Sequence, residues 1–234
     1  MAKANKNNNT YDWNKDKKAL LISNGSIKDY GALSRIIEKQ YGNLPDFFVI
    51  AADGGAVNSI NLRLTPDVII GDMDSITAKV IEKLNIQSKD IKFINCRPDK
   101  DESDTQLALD YLIGSGFRKV LILGALGNRP DHSYANIVLL AAPNYKDLDV
   151  RIITENSEIS VARKSCKICG IPGRAISLFS LAPYTHIIKT SGLKYRLKNE
   201  KLLFSPVRGL SNEFIKDTAG IEFEEGLILV VKEL

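Results

Sequence analysis

Residues 17–154 alternate short apolar runs with segments whose apolar residues recur at helical spacing. The runs predict strands, and they lie at 19–23, 47–52, 68–70, 91–95, 119–124 and 149–154. Between them the spacing predicts helices, as at Leu33, Ile36 and Ile37. Strands that alternate with helices favour a largely parallel sheet with helices on its faces. We therefore expect an α/β domain over residues 17–154.

Two carboxylates follow the third of these strands directly. The β-branched run Val68–Ile70 ends at Gly71, and Asp72 and Asp74 come next. Residues two apart in an extended segment point to the same side, and ligands of α/β sheets bind beyond the carboxyl ends of strands. A hard cation such as Mg²⁺, carrying a substrate phosphate, would relieve the repulsion between the two acids. The alternative is a solvated acidic turn followed by a helix cap.

A second acidic loop follows the fourth strand. Residues 99–104 contain four acids and Lys100, and a helical stripe comes after them. Asp101 and Asp104 would share a face at the start of that helix, where the helix dipole favours acids. Helix capping, the first interpretation, uses one or two acids rather than four. The second interpretation is that the aspartates bind a metal ion and Lys100 binds a phosphate.

Two further loops carry polar residues at strand ends. Asp53–Gly55 follows the second strand, and its glycines would let backbone approach a ligand, although a plain strand-to-helix turn needs them too. In the loop after the fifth strand, Arg129 offers a planar fork for phosphate. Asp131 is placed to cap the next helix, and His132 by itself is more typical of capping or packing than of catalysis. The recurrence of such loops at successive strand ends favours one site along one edge.

The pattern changes beyond residue 154. Residues 155–158 mark the predicted boundary, and no long helical stripe follows. Ala175–Leu181 is a strand run, Ile221–Glu224 alternates apolar with acidic residues, and turn residues recur between such runs. We expect an all-β domain of short antiparallel strands over residues 155–234.

Composition excludes several classes of protein. The 234 residues are 44% hydrophobic and 26% charged with a net charge of +4, which suits a globular protein and argues against a dedicated nucleic-acid surface. The apolar runs are far shorter than a membrane span. Residues 1–16 are polar and lack the apolar core of a secretory signal, so we expect a disordered tail and a cytoplasmic protein.

Other familiar sites are absent from the sequence or incomplete in it. There is no P-loop and no GxGxxG fingerprint after a strand. Cys166 and Cys169 form a CxxC, but zinc would need a second ligand pair and a redox site would need a βαβ setting. Two reduced strand cysteines are the favoured interpretation.

Four segments together resemble the signatures of thiamine pyrophosphokinases. In order they are Ala52–Ala56, Gly71–Ser75, Asp99–Asp104 and Gly127–His132, and Ala135–Ile137 resembles the end of the last signature. Each is short, but their order and spacing make the set specific. Met73 stands where the family usually has Phe and Asn128 where it usually has Gly, and neither departure removes a ligand.

The resemblance implies a Rossmann-like α/β domain that binds ATP, and it assigns roles to the acidic loops. The implied metal ligands are Asp72 and Asp74 with Asp101 or Asp104, and these residues together with Lys100 form the implied catalytic set. The residues implied to shape the nucleotide pocket are Asp53, Gly54, Gly55, Asn128, Arg129, Asp131 and His132.

The resemblance also implies a C-terminal β-sandwich that carries the thiamine site and the contact of a homodimer. Gly192–Tyr195 and Gly209–Glu213 resemble its two recurring segments. Within them Ser211 and Asn212 would face thiamine, although by themselves they are ordinary turn residues.

The expected activity is Mg²⁺-dependent transfer of a pyrophosphoryl group from ATP to the hydroxyl of thiamine, with thiamine diphosphate and AMP as products. Two alternatives stay open. One is the same chemistry on another alcohol, such as a hydroxymethyl-pterin, and the other is a non-catalytic module that senses nucleotide or thiamine.

Overall fold

The structure, a computed structural model, describes residues 17–85, 90–97 and 99–234; the expected tail at 1–16 lies outside them. Its α-helices are α1 (Tyr30–Tyr41), α2 (Gly55–Asn61), α3 (Ala78–Asn85), α4 (Asp104–Gly114) and α5 (Pro130–Leu139). The strands of the first half are β1 (Lys18–Ile22), β2 (Phe48–Ala52), β3 (Val68–Gly71), β4 (Lys92–Asn95), β5 (Lys119–Leu123) and β6 (Asp149–Ile153). Those of the second half are β7 (Ser157–Ala162), β8 (Cys166–Cys169), β9 (Ala175–Ser180), β10 (Tyr184–Ser191), β11 (Lys198–Leu203), β12 (Asn212–Glu213), β13 (Thr218–Glu225) and β14 (Ile228–Glu233).

The larger sheet joins both halves of the chain. Its strand order is β12-β9-β14-β7-β6-β5-β1-β2-β3-β4, and the strands from β6 to β4 are all parallel. From β7 onward every pairing is antiparallel. The predicted fold class, an α/β half with a parallel sheet followed by an all-β half, is confirmed.

Helices cover both faces of the parallel part. Leu33 and Ile37 of α1 pack with Leu20 and Ile22 on one face, and α4 buries Leu109 against the other. The central strands are therefore enclosed on both sides, which explains why β1 and β5 are buried at every position and consist of near-continuous apolar runs.

The all-β half is a sandwich. A second sheet of order β11-β10-β13-β8 packs against β9 and β14 of the larger sheet, around the fully buried Phe214, Ile187 and Ile221. The two halves meet without a linker, because β6 turns directly into β7 and Thr154 N–H donates to Ser157 O at 2.9 Å.

The topology creates a crevice at one edge of the sheet. From β1 the chain proceeds to β2, β3 and β4 in one direction, whereas β5 and β6 lie on the other side of β1. The loops after β1 and β5 therefore lead to helices on opposite faces, and ligands of such sheets bind at this switch point. No helix in the described part of the chain is both long enough and apolar enough to span a bilayer.

Candidate active site

A pocket of about 610 Å³ lies at the carboxyl edge of the parallel strands. The loops after β1, β2, β3, β4 and β5 all contribute to its wall. Its lining includes Ser23, Asn24, Gly25, Ser26, Asp53, Asp72, Asp74, Lys100, Glu102, Ser103, Asp104, Thr105, Gly127, Asn128, Arg129, His132 and Asn136. The parallel register thus gathers into one cavity loops that are up to a hundred residues apart in the sequence.

Three carboxylates converge in this pocket: Asp53, Asp72 and Asp74, the acidic triad. One oxygen from each lies within 4.8 Å of the others. Asp53 is only 7% exposed, and its Oδ1 is buried without a hydrogen-bond partner among the described residues. A buried oxygen of this kind normally has a partner. The arrangement suits a cation, because a cation would satisfy the buried oxygen and offset the mutual repulsion.

The backbone brings the triad together through two unusual conformations. Asp53 and Met73 are non-glycine residues at φ 44° and 64°. Gly71 lies at φ 155°, and a Cβ added to it would lie 2.7 Å from Asp53 Cβ. Only glycine therefore lets β3 end this close to Asp53, which explains the Gly-Asp pair of the third strand end.

The acidic loop after β4 is divided between the pocket and solvent. Lys100 is partly buried, with its Nζ 2.6 Å from Asp104 Oδ1. Although burial lowers the pKa of Lys100, the hydrogen bond and charge of Asp104 outweigh that effect and raise it. Ser103 caps α4 by accepting from Gln106 N–H at 3.2 Å. Asp101 is exposed, and it belongs neither to the pocket lining nor to the triad.

Arg129 and Asp131 form an exposed, bidentate ion pair at the start of α5. The guanidinium donates through Nε at 3.0 Å and through Nη2 at 2.6 Å. This hydrogen bond lowers the pKa of Asp131 to about 2. Arg129, Asn128 and His132 line the pocket, whereas Asp131 is not part of its wall. Asn136 of α5 holds the loop after β5 by donating from its Nδ2 to Ala125 O at 2.7 Å.

Gly54 and Gly55 approach the chain's own atoms closely. A Cβ on Gly55 would lie 2.0 Å from Ile22 O, and one on Gly54 would lie 2.3 Å from Asn24 Nδ2. Neither glycine lines the pocket. Their small size serves the packing of α2 on β1, which is the plain-turn explanation of the Asp-Gly-Gly sequence.

The loop after β1, residues 23–29, is a part of the site that the motifs did not indicate. Asn24, Gly25 and Ser26 line the pocket, and Ser23 Oγ lies 2.9 Å from Thr105 Oγ1 at the start of α4. The signal in the sequence is Asn24-Gly25-Ser26, a run of small polar residues directly after the first predicted strand.

Comparison with known proteins identifies the family to which this chain belongs. Residues 44–152 match the family model "Thiamin pyrophosphokinase, catalytic domain", and residues 157–228 match "Thiamin pyrophosphokinase, vitamin B1 binding domain". The chain belongs to the thiamin pyrophosphokinase family. The catalytic-domain match includes all three residues of the acidic triad and the segments around Lys100 and Arg129.

Individual relatives agree with this membership. The thiamine pyrophosphokinase of Bacillus subtilis is 26% identical in an alignment of 193 residues that covers 78% of this chain and 86% of that protein. Thiamine pyrophosphokinase 1 of Arabidopsis thaliana is 27% identical in an alignment of 203 residues that covers 82% of this chain and 73% of that protein. The crystal structure of the B. subtilis protein superposes with a TM-score of 0.79 at 23% identity and covers 93% of this chain and 99% of that one.

The two residues implied to face thiamine differ in their surroundings. Ser211 is exposed at φ 57°, and its N–H donates to Ser177 Oγ at 3.0 Å. Asn212 is buried, and its amide group bonds the backbone of Tyr195 in both directions, at 2.7 and 3.0 Å. Asn212 thus ties together the two segments of the vitamin B1 binding domain that resembled the family.

Cys166 and Cys169 lie on the edge strand β8, three residues apart, so their side chains point to opposite faces. Together with Cys96 they are free thiols, and burial raises the pKa of Cys166. The structure therefore supports the interpretation of two reduced strand cysteines.

Proposed function

We propose that this protein is a thiamine diphosphokinase that transfers a pyrophosphoryl group from ATP to the hydroxyl of thiamine in a Mg²⁺-dependent reaction. The observation that carries the proposal is the acidic triad, which lies in the main pocket of a chain that matches both domains of the family. The proposed division is an ATP-binding catalytic domain at 17–154 and a thiamine-binding sandwich at 155–234.

The donor set of the triad fits magnesium. Three carboxylates supply only oxygen, which a hard divalent cation prefers, and the orphaned Asp53 Oδ1 has no competing protein partner among the described residues. We assign Asp53, Asp72 and Asp74 as the residues that would hold the ion. When bound, Mg²⁺ would neutralise phosphate charge and orient the triphosphate. Asp104 already bonds Lys100, and Asp101 lies outside both the pocket lining and the triad, so the support for these two as ligands is weaker.

Two cations of the chain are available to phosphate oxygens. Lys100 stays charged beside Asp104 and lies in the pocket wall as a point charge. Arg129 is charged and exposed, and its planar fork can exchange Asp131 for a phosphate of the nucleotide. Both would stabilise the charge that develops as AMP leaves. An aspartate of the site would accept the proton of the attacking hydroxyl.

The sandwich would supply the thiamine site, with Ser211 exposed beside the segment that Asn212 holds. A homodimer is part of the proposal. It is supported by apolar side chains that stay exposed near this region, among them Phe204, Val207 and Leu210. A cytoplasmic location is also proposed, and it is consistent with three free cysteines, since reduced thiols are typical of that compartment.

The test is a product assay with purified protein, ATP, Mg²⁺ and thiamine. We expect thiamine diphosphate and AMP to form in equal amounts, and we expect no turnover without a divalent ion. Formation of ADP instead of AMP, or equal turnover in excess chelator, would contradict the proposed reaction.

Two alternatives have distinct outcomes in the same assay. An enzyme for another alcohol would release AMP with a hydroxymethyl-pterin and not with thiamine. A sensing module would bind nucleotide or thiamine and release no AMP. The complete triad argues for catalysis, since binding alone does not require three mutually repelling carboxylates.

A further inference from the structure

Glu155 is an acidic residue at the same edge of the sheet that none of the four motif segments contains. It follows β6, at the turn where the α/β half meets the sandwich. Its Oε1 accepts the backbone N–H of Lys28 and that of Asp29, the latter at 3.1 Å. The carboxylate therefore joins the turn between the two halves to the loop at 23–29.

The first part of that loop is held by other contacts. Gly25 N–H donates to Gly124 O at 2.7 Å, and Ser26 N–H donates to Leu126 O at 2.7 Å. Asn58 Nδ2 donates to Gly25 O at 2.9 Å. These contacts end at Ser26, so Glu155 anchors the remaining part, where the loop becomes α1.

The anchored end is also the start of a helix. Asp29 is the N-cap of α1, and its Oδ1 accepts Ala32 N–H at 2.8 Å. Glu155 therefore bonds the backbone of the capping residue itself. Because α1 packs on the sheet through Leu33, the carboxylate of Glu155 fixes both the backbone at the end of the loop and the direction in which the chain enters α1.

The loop has little freedom to move without changing the pocket. Asn24, Gly25 and Ser26 line the main pocket, and Ser26 also lines a small hollow whose other wall includes Glu155. A Cβ on Gly25 would lie 2.3 Å from Gly124 O, so the loops after β1 and β5 are in tight contact. A shift of the anchored end would therefore displace the pocket wall.

The interaction is charge-assisted. Although burial raises the pKa of Glu155, backbone N–H donors, including those of Asp29 and Lys28, and the charge of Lys28 lower it overall. The side chain is therefore ionised at neutral pH, and a carboxylate accepts N–H donors more strongly than a neutral group does.

We propose that Glu155 is a positioning residue for nucleotide binding: it anchors Lys28 and Asp29, the end of the loop at 23–29 whose first part forms one wall of the nucleotide pocket. It does so from behind the pocket wall, without lining the main pocket itself. The inference rests on the proposed function, because it takes the occupant of the pocket to be ATP.

The test compares steady-state constants of Glu155→Ala and Glu155→Gln with those of the unchanged protein. Loss of two hydrogen bonds to a charged acceptor would raise the KM for ATP roughly tenfold in Glu155→Ala. The KM for thiamine should change less than about twofold, since the bonded loop is in the α/β half. Glu155→Gln keeps an acceptor oxygen without its charge, so its KM for ATP should lie between that of the unchanged protein and that of Glu155→Ala.

Ser165→Ala is the matched control. Ser165 Oγ accepts Phe223 N–H and donates to Phe223 O, both at 2.9 Å, within the sandwich. This variant also loses two side chain–backbone hydrogen bonds, so its Tm should fall while its KM for ATP stays unchanged. Calorimetric titration with a non-hydrolysable ATP analogue and Mg²⁺ measures nucleotide affinity without turnover.

The outcomes separate the positioning role of Glu155 from the proposed thiamine diphosphokinase activity. An unchanged KM for ATP in Glu155→Ala, or equal increases in the KM of both substrates, would overturn the positioning role. If Glu155→Ala does not fold, the analogue titration of Glu155→Gln decides. An affinity for the analogue equal to that of the Ser165→Ala control, with no thermal destabilisation, would also overturn the positioning role. If the unchanged protein binds the analogue but releases no AMP with thiamine, the proposed function fails while the role of Glu155 is still measured.

Discussion

Replacement of Asp53 by asparagine removes one charge from the acidic triad at nearly constant volume. The carboxylate oxygens lie within 4.8 Å of one another, and Asp53 is the most buried of the three residues. Two unit charges at that separation repel by about 1 kcal/mol in water and about 3.5 kcal/mol at an effective dielectric constant of 20. Asp53 takes part in two of the three pairs, so the metal-free variant should gain stability or keep it.

The gain is limited because an asparagine at this position also needs hydrogen-bond partners. We expect the metal-free variant to change by about 0 to +3 kcal/mol, which corresponds to a Tm increase of up to roughly 6–12 °C in a chain of this size. The sign is the informative part, since most substitutions of a buried residue lower stability.

In the presence of Mg²⁺ the order of stability should reverse, because the unchanged protein binds the ion and the variant does not. A ligand at 100 times its Kd stabilises the folded state by about 2.7 kcal/mol, which would raise the Tm of the unchanged protein by roughly 5–11 °C. Asp53→Asn should lose most of this Mg²⁺-dependent shift, and its turnover should fall by about 100-fold or more.

Thermal unfolding with and without Mg²⁺ measures both quantities, and AMP release measures turnover. Asp46→Asn is the control, because Asp46 is exposed and precedes β2 at the opposite edge of the sheet. A full Mg²⁺-dependent shift in Asp53→Asn, or a metal-free Tm well below that of the control, would refute the assignment of the triad.

Three further predictions concern other parts of the molecule. Asp72→Asn should lower turnover by orders of magnitude while thermal stability is kept or raised, and retained AMP release would contradict the metal assignment. Gly170→Ala places a Cβ 2.4 Å from the ring of Phe214 in the sandwich core, so the Tm should fall by about 2–12 °C through overpacking of about 1–3 kcal/mol. An unchanged Tm would show that the ring can move. Burial raises the pKa of Glu158, but the charges of Arg151 at 3.2 Å and Lys232 at 3.1 Å, together with the hydrogen bonds of Tyr41 and Lys232, outweigh it and lower the pKa below the ordinary 4.5. A carboxylate with a lowered pKa in the folded state contributes stability above its unfolded pKa, so denaturant titrations should show stability falling as pH drops below about 4.5. A smaller decline in Glu158→Gln is expected.

Local pattern was sufficient to predict the secondary structure of the α/β half. Buried parallel strands are continuous apolar runs and amphipathic helices have a regular period, so both leave a signal in the sequence. The spacing of Leu33, Ile36 and Ile37 predicted a helix after the first strand, and α1 spans Tyr30–Tyr41. Its start was not predicted, since Asp29 as N-cap is one polar residue among several.

The relation between the two halves was not visible in the sequence. The boundary at 155–158 was expected to separate two domains, and it is a tight turn across which one sheet continues from β6 to β7. The domain division therefore stays a proposal. Strand order depends on which edges pair at long range, and this leaves no local pattern.

The sequence predicted the kind of site but not all of the residues that form it. Acids at successive strand ends indicated a cation and phosphate site, since Asp72 and Asp74 follow one strand directly. The family resemblance grouped them with Asp101 or Asp104, whereas in the structure a carboxylate oxygen of Asp53 lies within 4.8 Å of both. The adjacency of β2 and β3, and the absence of a side chain at Gly71, bring Asp53 to the other two.

The sequence by itself determined which residue types follow each strand, and so the chemistry that the loops can perform, because side-chain identity and short-range periodicity are local properties. Tertiary structure alone decided which loops meet, which acids converge and which glycines pack against the chain itself. Those outcomes depend on the pairing of strands far apart in the sequence and on distances of a few ångströms, which no local pattern encodes.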